Sequence, residues 1–149
     1  MKKANKTIVT IISAFLIFGF MSCSSQPQPI RLGQDACSFC KMSIADKRFG
    51  AEIITKKGKV YKFDDMHCVL GFIKAGTINN KDIKETWLVN FNEPHNFIAP
   101  QKAFLLKSNE LHSPMGGDVA SFDDENKLKE AGNKIKGETV TWDALVNEK

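Results

Sequence analysis

Past Phe49 the chain alternates β-branched and aromatic runs with stretches in which apolar residues recur at helical spacing. Phe49-Gly50-Ala51-Glu52-Ile53-Ile54-Thr55 and Val60-Tyr61-Lys62-Phe63 flank Lys56-Lys57-Gly58-Lys59, a pattern that predicts a hairpin closed by a glycine turn. Asp64-Asp65 then caps a helix from about Met66 to Ala75, ended by Gly76. Met66, Val69, Leu70 and Ile73 fall at i, i+3, i+4 and i+7, so they form its expected buried stripe. Trp87-Leu88-Val89-Asn90-Phe91 predicts a further strand.

After a connection from Pro94 to Pro100 the same order recurs. Ala103–Lys107 and Val119–Phe122 predict strands, Asp123–Ala131 a helix closed by Gly132, and Glu138–Trp142 a last strand. Phe-Asp-Asp stands at the strand-to-helix corner of both halves, at Phe63-Asp64-Asp65 and Phe122-Asp123-Asp124. The expectation is an α+β fold of duplicated ββαβ units, with halves at about residues 35–93 and 99–145 of a domain spanning 35–149.

The N-terminus has a different pattern. Met1 to Lys6 is positively charged and Ile8 to Met21 is an apolar run shorter than the roughly 20 residues a spanning helix needs, which predicts an export signal over residues 1–22. The sequence Phe20-Met21-Ser22-Cys23 resembles a loose bacterial lipoprotein cleavage box, so Cys23 is the expected lipid-attachment site and residues 23–34, rich in Ser, Gln and Pro at their start, a flexible tether. An ordinary signal peptide with an incidental Cys23 is the alternative.

Composition changes the picture in one respect. The formal charge of +4 rests on 21 Lys and Arg against 17 Asp and Glu, and three of the lysines, Lys2, Lys3 and Lys6, lie in the signal. The remaining 127 residues carry only +1, which leaves no electrostatic case for nucleic acid.

Candidate chemistry concentrates in Cys37-Ser38-Phe39-Cys40-Lys41-Met42, two thiols and a thioether within six residues. A c-type haem needs His after the second Cys and finds Lys41; a structural zinc site wants a second matching pair, and the rest of the chain offers Cys68, His67, His95 and His112. A thioredoxin-like pair belongs at a helix N-terminus, whereas this motif precedes a hairpin. Soft thiolate and thioether donors select Cu(I). Redox use of Cys37 and Cys40, as in a lipoprotein thiol-disulfide oxidoreductase, remains the alternative, and a third reading is a Cys37–Cys40 disulfide that only staples the loop. Met115, in the tight turn Ser113-Pro114-Met115-Gly116-Gly117, is a second thioether candidate or else a turn residue folded onto the core. His67 and Cys68 are reserve ligands: His67 points off the helical stripe, and Cys68 sits in the first turn, where the helix dipole favours a thiolate.

Taken in order, Cys-x-x-Cys-x-Met after a lipoprotein signal, Lys62-Phe63-Asp64-Asp65 before a helix, Ala99-x-x-x-Ala103-Phe104, and Ser113-Pro114-Met115-Gly116-Gly117 with Ala120-x-Phe122 resemble the NosL family over nearly all of residues 30–145. Members of that family are copper-binding lipoproteins associated with nitrous oxide reductase maturation. The resemblance implies a duplicated ββαβ fold similar to part of the organomercurial lyases and one Cu(I) per chain, held by Cys37, Cys40, Met42 and Met115. It implies a non-enzymatic copper chaperone, anchored in the cell envelope and facing the periplasm or exterior. Its partners would be a copper-accepting enzyme and an ABC-type membrane complex. This chain departs from the commoner family pattern in having Lys41 where glycine often stands and Cys68 near the helix start.

Overall fold

The structure is a computed structural model that describes residues 26–148; the expected export signal and Cys23 lie outside the described residues. Two antiparallel sheets carry the fold. Strands β1 (Ala51–Thr55), β2 (Val60–Phe63), β3 (Ile83–Val89) and β4 (Phe97–Ile98) form a sheet in the order β2-β1-β3-β4, with helix α1 (Met66–Lys74) between β2 and β3. Strands β5 (Phe104–Lys107), β6 (Val119–Phe122) and β7 (Glu138–Val140) form a second in the order β6-β5-β7, with α2 (Glu125–Lys134) between β6 and β7. Both sheets therefore begin strand, strand, helix, strand, with the first strand flanked on both sides, and the first sheet adds β4.

The two sheets meet at one seam. Phe91 N–H donates to the Ser121 carbonyl at 2.7 Å, and Ser121 Oγ donates to the Val89 carbonyl at 2.5 Å. The main core crosses that seam: Ile53, Phe63 and Leu88 from the first sheet, Val69 and Phe72 from α1, and Leu105 and Val119 from the second sheet are all buried in one cluster. Burying each such side chain contributes about 1.5–3 kcal/mol. Phe49, Leu106, Leu111, Ala120, Phe122 and Leu128 form a smaller cluster under α2.

Three local expectations need correction. Helix α1 buries Met66, Cys68, Val69 and Phe72, whereas Leu70 and Ile73 are half-buried. Phe72 turns the face, because its ring packs between Tyr61 and Phe63 at centroid distances of 4.8 and 5.1 Å. Helix α2 does not stop at Gly132 but runs through it to Lys134. Trp142 leaves the last strand and opens a short helix, α3 (Trp142–Asn147), because the Thr141 side chain caps it by accepting from Ala144 N–H.

Part of the expected tether at 23–34 lies against the first sheet. Gln28 N–H reaches both oxygens of the buried Glu52 at 3.0 and 3.2 Å, and Lys62 Nζ donates to the Pro29 carbonyl at 2.8 Å. Ile30 covers Gly50, where a Cβ would come within 2.7 Å of its Cδ1. Among the described residues, no helix is long and apolar enough to cross a membrane.

Candidate metal centre

Cys37 and Cys40 sit on a tight loop closed at both ends. Cys37 N–H donates to the Met42 carbonyl at 2.8 Å and Lys41 N–H to the Cys37 carbonyl at 3.0 Å. That turn requires φ +67° at Lys41, a left-handed conformation that costs a side-chain-bearing residue roughly 1–2 kcal/mol and glycine almost nothing. The local geometry thus accounts for glycine as the easy residue here, while Lys41 recovers a bond from Nζ to the Ser38 carbonyl at 2.6 Å.

The loop is fastened to the first sheet and to α1. Ser38 N–H donates to the Lys62 carbonyl at 2.7 Å, and Lys62 N–H returns a bond to Ser38 Oγ at 3.2 Å. The Phe39 ring lies against α1 over Gly71, where a Cβ would come within 2.6 Å of Cε1, and meets the His67 ring edge at 6.4 Å. A side chain at 71 would displace the Phe39 ring from this position.

That approach brings a third sulfur into play. The Sγ atoms of Cys37, Cys40 and Cys68 all lie within 4.8 Å of one another. An ion bound to three sulfurs at about 2.3 Å would space them by roughly 4 Å, so small side-chain movements would close the triangle. No imidazole or carboxylate joins this group at the same spacing among the described residues. Cys37 and Cys68 are buried, Cys40 is half-buried, and all three are free thiols.

The buried pair is electrostatically unequal. The Cys68 thiol donates to Cys37, and backbone N–H groups of Cys40, Phe39 and Asp64 also point at that sulfur, so Cys37 is held well below the ordinary thiol range. Cys68 is pushed up by the same bond, by burial and by the neighbouring thiolate. The helix-dipole expectation for Cys68 therefore gives way to a stronger local cause. Asp64, buried beside the pair and facing the charges of Cys37 and Asp65, is raised chiefly by its own burial.

The remaining candidates differ in exposure. Met42 is 57% exposed beside the loop, close in sequence but not enclosed. Met115 is half-buried and packs against the core cluster that contains Cys37 and Cys68. His67 is exposed and lines a cleft of about 270 Å³ shared with Gly116 and Gly117. A cavity of about 520 Å³ lies between Pro29, Ile30, Pro94 and Phe97 and touches none of the sulfurs. Cys68, expected only as a reserve ligand, is part of the cluster; its sequence signal is the i, i+4 spacing to Phe72 on the buried face of α1.

Comparison with known proteins bears on this arrangement. No curated protein sequence matches the chain. Its fold is similar to the crystal structure of the copper chaperone NosL from Shewanella denitrificans, with a TM-score of 0.71 and 19% identity over 85% of this chain and 99% of that one. The NosL sequence profile matches residues 29–149, which include all three cysteines of the cluster and both candidate methionines, and the chain therefore belongs to the NosL family.

Proposed function

We propose that this protein is a membrane-anchored, extracytoplasmic Cu(I) carrier that hands its ion to a copper enzyme and has no catalytic turnover of its own. The observation that carries the reading is the convergence of three thiols from two distant segments, Cys37 and Cys40 on one loop and Cys68 on α1. Three thiol donors, with the thioethers of the exposed Met42 and the half-buried Met115 as further donors in this account, suit a soft monovalent ion. The cysteines supply the affinity; the uncharged thioethers supply donors that an incoming protein ligand displaces first. Similarity to a protein described as a copper chaperone supports the same reading.

Anchorage rests on Cys23 as the lipidated residue, and the ABC-type membrane complex and nitrous oxide reductase, or a related copper enzyme, are the partners in this account. The two halves are best understood as repeats of one ββαβ unit, because both place the first strand centrally and both turn into their helix at Phe-Asp-Asp.

Burial argues against the oxidoreductase alternative. Cys37, whose thiol is held below the ordinary range, is 1% exposed, so a protein disulfide would have to enter through Cys40. The deciding experiment sets the reduced, anaerobic protein against a chromophoric Cu(I) chelator and, separately, against insulin. About one tightly held Cu(I) and no insulin reduction is the expected result; rapid insulin reduction without copper uptake would overturn the proposal in favour of a redox enzyme.

A further inference from the structure

We propose that Asp65 is a positioning residue that locks the Met115 loop onto the cysteine-bearing helix and so presents the Met115 thioether to the ion. This rests on the reading of Met115 as a donor.

Asp65 is fully buried, and its carboxylate divides its two oxygens between two parts of the chain. Oδ1 accepts from Cys68 N–H at 3.2 Å, capping α1 at the residue that supplies the third thiol. Oδ2 accepts from Ser113 Oγ at 2.6 Å, Met115 N–H at 3.0 Å and Gly117 N–H at 3.1 Å. One helix cap needs one oxygen; the other three donors come from 48 to 52 residues away. A carboxylate has about four acceptor positions and no donor, so it satisfies all four groups at once.

The loop is shaped for this role. Ser113 and Asp118 close it reciprocally, Ser113 N–H to Asp118 Oδ1 and Asp118 N–H to Ser113 Oγ, both at 2.8 Å. Gly116 takes φ +71° at its tip. Gly117 lies so near the helix that a Cβ there would meet His67 N at 2.6 Å. The Met115 backbone is thus fixed to the carboxylate that also fixes Cys68, and thiol and thioether share one support.

An asparagine offers one oxygen instead of two, so Asp65→Asn must release either the helix cap or the loop. The test is a double-mutant cycle in the full chain, reading Cu(I) affinity by chelator competition for wild type, D65N, M115A and D65N/M115A, with circular dichroism as the check on folding. D65N and M115A are each expected to weaken binding about tenfold, the lower end of what loss of a ligand-orienting partner costs, and the double variant to be no weaker than M115A. A role in general stability alone would multiply the two losses, and that result overturns the proposal. Wild-type affinity in D65N beside weakened binding in M115A overturns it as well. Wild-type affinity in M115A instead removes Met115 from the metal centre, and the proposal falls with the reading beneath it. Should D65N fail to fold, Gly117→Ala moves the loop off the helix and leaves the carboxylate intact. The same absence of additivity with M115A is then required, and multiplied losses overturn the proposal.

Discussion

The two Phe-Asp-Asp corners start from the same local device and end differently. At both, the phenylalanine is fully buried and the second aspartate caps the following helix, Asp65 for α1 and Asp124 for α2. At the second corner Asp123 and Asp124 are exposed, the cap serves only Asn126 and Lys127 N–H of its own helix, and Leu128 is the one buried residue of α2. At the first corner both aspartates are buried, and three residues past the cap stands Cys68, where the second has Lys127. A strand-to-helix turn becomes a candidate centre when a neighbouring segment covers it and a soft donor occupies the third helical position.

That contrast can be broken at several points. The largest effect is expected at the third position: Cys68→Ser should lower Cu(I) affinity on the order of 1000-fold, more than the loss of a mere orienting partner, while Lys127→Ser leaves it unchanged. Chelator competition measures both, and equal affinities would erase the distinction between the corners.

Next in size is the cap. Asp124→Ala should cost the metal-free protein about 1 kcal/mol, the usual value for an exposed N-cap. Asp65→Ala should cost about 3 kcal/mol or more, since four donors lose a buried acceptor. Urea denaturation of the two variants compares them directly.

The charge at the first corner should show in its pH dependence. Because Cys37 is held down, its thiolate absorbance in the ultraviolet should persist as the pH falls well below the ordinary thiol range. Cys68→Ala removes the first of the bonds that hold it down, so the same absorbance should then be lost at higher pH.

The smallest effect concerns the two helical glycines. Gly132→Ala in α2 meets only Leu106 Cδ1 at 3.9 Å and should stabilise by about 0.5–1 kcal/mol. Gly71→Ala in α1 drives a Cβ into the Phe39 ring and should forfeit that gain while exposing the cysteine loop, which thermal melts and the rate of thiol alkylation would register.

Most strands and helices from Ala51 to Phe122 were legible because their signals are local: a glycine turn at Gly58, caps at Asp65, and β-branched runs. The start of β3 at Ile83 and the two-residue β4, inside the expected connection from Pro94 to Pro100, were not, because pairing across the sheet defines them. Misreadings arose where packing overrode a local cue. The buried neighbour set of Phe72 moved the face of α1, Gly132 was carried through α2, and the Thr141 cap outweighed the β-favouring residues before Trp142. At the site, Cys37 and Cys40 were visible as a pair, since six residues suffice to define them. Their union with Cys68 was not, because it comes from the docking of the loop on β2 and α1, through the Ser38–Lys62 bonds and the Phe39 ring over Gly71. The contact of Gln28 with the sheet carries no local signal either, since it depends on the buried Glu52 as acceptor.

X-ray absorption at the copper edge of the Cu(I)-loaded, reduced protein tests the central claim most directly. The account predicts a first shell made only of sulfur, at about 2.3 Å, that loses one sulfur in Cys68→Ser. A shell containing nitrogen or oxygen in the wild type, or one unchanged by that substitution, would contradict it.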